Sequence, residues 1–137
     1  MKLKRLNSNK EFNLNIAKYY TDWDKTVGSK FQRRVKDFFF PYWKSHVVCE
    51  ELRIPGSLLR IDLINFTRRW IVETNGNQHR EYNPHFHQNR SNYLNQIKRD
   101  FEKESWANLN QFKYIEIYEE DMPLNKEWFK VKYDLEL

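Results

Sequence analysis

Apolar residues recur along most of the chain with one of two periods. Phe31, Val35, Phe38, Phe39 and Tyr42 fall at helical spacing behind Ser29 and Gln32, which have the spacing of a capping box. A helix is predicted from about Ser29, to be distorted or ended by Pro41, with Arg33, Arg34 and Lys36 on its other face. HVVCEEL, SLLRIDLINF and WIVET then read as strands, separated by a Pro55-Gly56 turn and a polar break at Thr67-Arg68-Arg69 that closes the last two into a hairpin. Both hairpin strands are nearly continuous apolar runs, as expected of a sheet covered on both faces. A polar, histidine-rich connection follows over 77–90. From about Ser91 a second helix is predicted to bury Leu94, Ile97 and Phe101 and to turn Lys98, Arg99, Glu102 and Lys103 outward. KYIEIYEED reads as the last strand and its exit, and Lys126 to Tyr133 as a short closing helix. Residues 1–26 have less pattern; Ile16, Tyr19, Tyr20 and Trp23 fit either an amphipathic helix or a docking arm.

The order helix, three strands, helix, strand predicts an α/β fold. Its mixed central sheet has about four to five strands flanked by helices, three of them antiparallel and a fourth added by a helical crossover. A length of 137 residues suits one domain, divided into an arm over 1–27, a core over 28–121 and an extension over 122–137. Phe, Tyr and Trp make up 17% of the chain, so the core is expected to be strongly aromatic, with Phe31, Phe38, Phe39, Trp70, Phe101 and Trp106 in it. Three glycines and four prolines are too few for a linker-rich chain. The single cysteine, Cys49, excludes an internal disulfide and any cysteine-based zinc site; its apolar surroundings predict a buried, inert thiol. No apolar run approaches the ~20 residues of a membrane span, and MKLKRLNSNK lacks the apolar core of a signal peptide, so a cytoplasmic protein without a membrane partner is expected. A formal charge of +5 suits a polyanionic partner.

The hairpin brings chemistry with it. If the chain turns symmetrically about Thr67-Arg68, residues whose numbers sum to 135 lie opposite one another. Asp62 then faces Glu73, and Arg60 faces Asn75. Opposed like charges in a buried strand pair need compensation, and a divalent cation such as Mg²⁺ or Mn²⁺ is the simplest supplier. A solvated sheet end, or pairing with Arg60, Arg68 or Arg69, would serve as well.

With that constellation, LRIDLINFTRRWIVETNGNQH and QIKRDFEKESWANLNQFKYIEIYEED resemble the PD-(D/E)XK nuclease superfamily over about residues 28–121, and are especially similar to its small Vsr-like endonuclease branch. Val72-Glu73-Thr74-Asn75-Gly76 is also similar to the Val-Glu-Thr-Lys-Gly strand of phage junction resolvases. The resemblance implies a restriction-endonuclease-like core and a metal-dependent DNA endonuclease, phage or mobile-element encoded. Asp62, Glu73 and the Thr74 carbonyl would hold Mg²⁺ or Mn²⁺, which polarises the scissile phosphate and lowers the pKa of the attacking water. The family's lysine falls at Asn75, which supplies neither charge nor a proton acceptor. Arg60, Gln78 and His79 are the candidates to replace it, His79 first as acid or base. Where many members carry a helix glutamate, this chain has Gln32, read as part of the cap. The alternative is a catalytically impaired nuclease-fold protein acting in DNA binding or phage assembly.

Arg33, Arg34, Arg60, Arg68, Arg69, His85, Lys98, Arg99 and Lys103 are candidate DNA contacts, Lys103 because it would face the site from the second helix. A zinc site from His79, His85 and His87 is disfavoured, since no cysteine assists. Cleaving a duplex takes two cuts, so a homodimer is expected to be possible.

Overall fold

The computed structural model describes residues 1–75 and 90–137. The central sheet has four strands in the order β3 (Val48–Arg53), β4 (Arg60–Asn65), β5 (Trp70–Thr74) and β6 (Lys113–Ile117). The first three are antiparallel, and β6 joins β5 in parallel after the crossover helix α2 (Arg90–Leu109). Helix α1 (Lys30–Trp43) precedes the sheet and α3 (Lys126–Tyr133) closes the chain. No described helix is long and apolar enough to cross a membrane.

Both sheet faces are covered, as the continuous apolar runs require. On one face Cys49, Leu52, Ile61, Ile64 and Ile71 pack with Trp106 and Ala107 of α2. On the other, Val48, Leu63, Trp70, Val72, Ile115 and Ile117 pack with Phe31, Val35, Phe39 and Trp43 of α1 and Phe129 of α3. Ser29 Oγ accepts from the Gln32 N–H and starts α1 as expected. Pro41 does not end that helix, which runs on to Trp43. Trp43 is fully buried and stacks on Phe39 with centroids 4.0 Å apart, and this packing holds the last turn despite the amide that proline lacks.

Residues 1–26, read as an amphipathic helix or a docking arm, form a two-stranded ribbon, β1 (Lys2–Lys4) with β2 (Glu11–Asn13), followed by a 3₁₀ turn over Ile16–Tyr19, and Ile16 and Tyr19 pack against the core. Leu3 carries the ribbon into the α2-side core, and Lys4 is clamped there by Trp106 Nε1 donating to its carbonyl and its own N–H donating to Asn110 Oδ1. Two expectations are corrected. Lys36 does not lie on an outer face. It is buried, with its ammonium on Glu50 at 2.9 Å and on the carbonyls of Asp22 and Lys25. Finally, α2 is rotated from the expected orientation: Leu94, Ile97 and Phe101 are exposed, while Trp106, Ala107 and the Lys103 side chain turn inward. Cys49 is buried as expected, and burial, with Glu50 beside it, pushes its thiol up to about 12.

Candidate functional site

The pairs Asn65–Trp70, Ile64–Ile71 and Leu63–Val72 each sum to 135, so the hairpin has the register that opposes Asp62 to Glu73. Past Leu63–Val72 the strands are joined through side chains. The Asp62 N–H donates to Glu73 Oε2 at 2.8 Å, and Asp62 Oδ2 accepts from both the N–H and the Oγ1 hydroxyl of Thr74 at 2.9 Å. Each carboxylate therefore does for the neighbouring strand what a ladder carbonyl would do. They do not simply sit side by side on one face. Ile61 and Ile64 belong to the α2-side core and Leu63 to the other, so regular alternation breaks at Asp62. Across from that break, between the pairs Glu50–Leu63 and Leu52–Ile61, Glu51 has φ +51°, a conformation rare for a residue with a side chain. Glu51 Oε1 in turn accepts from Gln32 Nε2 at 3.0 Å, which is where the Gln32 side chain goes.

The cation beside this pair is Lys103. From α2 its Nζ reaches Glu73 Oε1 at 2.5 Å, and Glu73 is only 3% exposed. Burial and then the Asp62 charge push the Glu73 carboxyl up from 4.5 to about 8, against the pull of Lys103 and the Asp62 N–H. Burial disfavours the Lys103 ammonium, but Glu73 more than offsets this and its pKa ends raised. Two carboxylates and one ammonium leave the triad one negative charge in excess, so proton uptake at Glu73 is the physically reasonable direction.

Further acids adjoin the triad. Glu116 is the ladder partner of Glu73 on β6, and its carboxylate accepts from the Tyr118 hydroxyl at 2.9 Å. Asp100, one turn before Lys103, has its carboxyl raised by burial and then by Glu116. The Tyr114 hydroxyl, also on β6, is buried without a hydrogen-bond partner among the described residues, and burial followed by the Glu73 charge pushes it upward. Among the described residues, no three Asp, Glu, His or Cys side chains converge in metal-holding geometry. Mg²⁺ needs only one or two carboxylates and keeps several waters, so a convergent trio is not required of it. The Asp62 Oδ1 atom is the one oxygen of the pair with no partner among the described residues, while Glu73 is engaged through both of its oxygens, by the Asp62 N–H and by Lys103.

The other candidates are dispersed. Asn75 continues the parallel ladder by donating its N–H to the Ile117 carbonyl at 2.9 Å. Arg60 is exposed at the start of β4, opposite Arg53. Arg68 and Arg69 lie at the other end of the hairpin from Asp62 and Glu73. Arg68 donates to the Glu136 carbonyl, while Arg69 caps the end of α2 through the carbonyls of Asn110 and Gln111 and lies over the Phe112 ring. Arg33 pairs with Asp37, and Arg34 is exposed, on the helix that packs against the opposite sheet face. Lys98, 3.9 Å from Glu102, and Arg99 are exposed on α2. Gln78, His79, His85 and His87 lie outside the described residues. Compared with family models, curated proteins and solved structures, the chain matches none.

Proposed function

We propose that the protein is a metal-dependent DNA endonuclease in which Lys103, rather than a residue at position 75, supplies the lysine. One observation carries the reading: two carboxylates from adjacent strands and one ammonium from the crossover helix meet at the same end of the sheet. That is the donor set the family resemblance implies, assembled from different positions. The helix, three antiparallel strands, helix and parallel strand supply the core order that the resemblance calls for.

When bound, Mg²⁺ or Mn²⁺ would polarise a phosphodiester and acidify a water. The chain's own residues do the rest. Asp62 and Glu73 hold the negative end of the site, and their hydrogen bonds to Thr74 and Asp62 keep them in place. Lys103 presents a positive charge beside the pair, suited to the negative charge that builds on a phosphate in the transition state.

The test is incubation of supercoiled, linear and branched DNA with the protein and Mg²⁺ or Mn²⁺, beside an EDTA control. Asp62→Asn, Glu73→Gln and Lys103→Met are run in parallel. Wild-type cleavage that each variant lowers about 10²-fold or more supports the reading. No cleavage by the wild type, or equal cleavage by the variants, overturns it. The second reading, a nuclease-fold protein that binds DNA without cutting it, gains from one feature: three of the four carboxylate oxygens are already engaged within the protein.

A further inference from the structure

Apart from the acidic cluster, the fold carries a feature of opposite charge that none of the motifs pointed to. The N-terminal ribbon, the 3₁₀ turn and the β3–β4 turn line an open cavity of about 710 Å³ whose wall includes Arg5, Lys18, Arg53, Phe12, Tyr19 and Pro55 and no carboxylate. Several basic side chains elsewhere are neutralised: Arg33 by Asp37, Lys36 by Glu50, Lys103 by Glu73 and Lys132 by Asp121. Arg5, Lys18 and Arg53 make no ion pair among the described residues. Three like charges held around one open cavity repel each other unless an anion joins them.

The three are also held in position. The ribbon is tied to the turn by the Leu6 N–H on the Pro55 carbonyl at 3.1 Å. Arg5 lies so close over the turn that a Cβ at Gly56 would stand 3.1 Å from its Nε, and Gly56 has φ +81°. The Arg5 guanidinium lies over Phe12, the Lys18 ammonium lies over Tyr19, and Arg53 Nε donates to the Ser57 carbonyl at 2.9 Å. Phe12 is 40% exposed, so its ring is open to a ligand. Cations spaced along a cleft with aromatic faces between them are the recognition chemistry of a nucleic-acid strand. Arg53 is the ladder partner of Arg60, which precedes Asp62 by two residues, roughly 7 Å along the strand.

We propose that this cleft seats a single DNA strand on its way to the Asp62–Glu73–Lys103 cluster, with Arg5, Lys18 and Arg53 on successive phosphates and Phe12 and Tyr19 against bases or sugars. The proposal rests on the DNA reading of that cluster but not on cleavage. Its test is fluorescence anisotropy of labelled oligodeoxythymidylate across a salt series in EDTA. The wild type is compared with Arg5→Ala/Lys18→Ala/Arg53→Ala and with a charge-matched control of exposed lysines, Lys30→Ala/Lys44→Ala/Lys113→Ala. The cleft variant should lose about tenfold or more in affinity, and its log–log salt slope should become shallower by about 2, whereas the control should lose less than about threefold. Circular dichroism establishes that both are folded. If the cleft variant does not fold, Lys18→Gln and Arg53→Gln singly should each reduce the slope by about 0.7. Wild-type affinity in the cleft variants, or equal losses in cleft and control variants, overturns the proposal. Binding of oligouridylate about tenfold tighter than oligodeoxythymidylate overturns DNA as the occupant. Cleft-dependent binding without cleavage in Mg²⁺ leaves the cleft standing and removes only the nuclease reading. Cleavage with cleft-independent binding does the reverse.

Discussion

At Glu73 one buried carboxylate answers two neighbours: Oε2 closes the strand pair on the Asp62 N–H, and Oε1 takes the Lys103 ammonium. Burial and the Asp62 charge lift its pKa from 4.5 to about 8. The folded chain thus keeps a proton here that the unfolded chain releases. The stabilisation is complete below about pH 4.5 and is lost as pH rises through about 8. The melting temperature of the wild type should therefore fall relative to that of Glu73→Gln as pH rises across this window; parallel curves would defeat the account. The Asp62–Glu73 pairing was legible in the sequence because a tight hairpin and a period of two leave little freedom of register. Lys103 was expected to face this site from the second helix, but as a DNA contact; its ion pair with Glu73 was not legible. Its position depends on which way the crossover helix rolls, and a buried carboxylate attracts a cation through the fold rather than along the chain.

That roll is decided by α2 itself. Leu94, Ile97 and Phe101 make the better apolar stripe by spacing, yet Trp106 and Ala107 are the residues it buries. Trp106 has the larger surface to hide and a hydrogen bond to make, its indole N–H reaching the Lys4 carbonyl at 2.7 Å, while the inward turn also sets Lys103 against Glu73. Trp106→Ala should cost roughly 3–5 kcal/mol of stability. Phe101→Ala should stay within about 0.5 kcal/mol, as for an exposed position. Chemical denaturation of both variants checks the pair, and equal losses would mean the helix is rolled the other way. The sheet strands were readable because each carries two or more buried apolar residues. The ribbon strands are three residues long, and only Leu3 is buried in them, which is too little signal for any periodicity.

Across the whole molecule, Lys36 joins parts that share no sheet. Its ammonium ties the carbonyls of Asp22 and Lys25 to Glu50 on β3 from within α1, which binds the N-terminal segment, a helix and an edge strand at one point. Lys36→Met keeps the bulk but leaves Glu50 without its cation. It should cost about 3 kcal/mol or more, read as a drop in melting temperature of roughly 8 °C or more. An unchanged melting temperature would mean the tie is not needed. A helical lysine reads as solvated by default, so this contact lay beyond a pattern-based reading. The exchange of backbone contacts between Asp62 and Glu73 has a different reach. Because each acid closes the other strand's hydrogen bonding, folding alone is enough to preserve both through evolutionary divergence. In descendants of this chain, then, an intact acidic pair would testify to an intact sheet, and ancestry of function would have to be traced through Lys103 and the basic cleft instead.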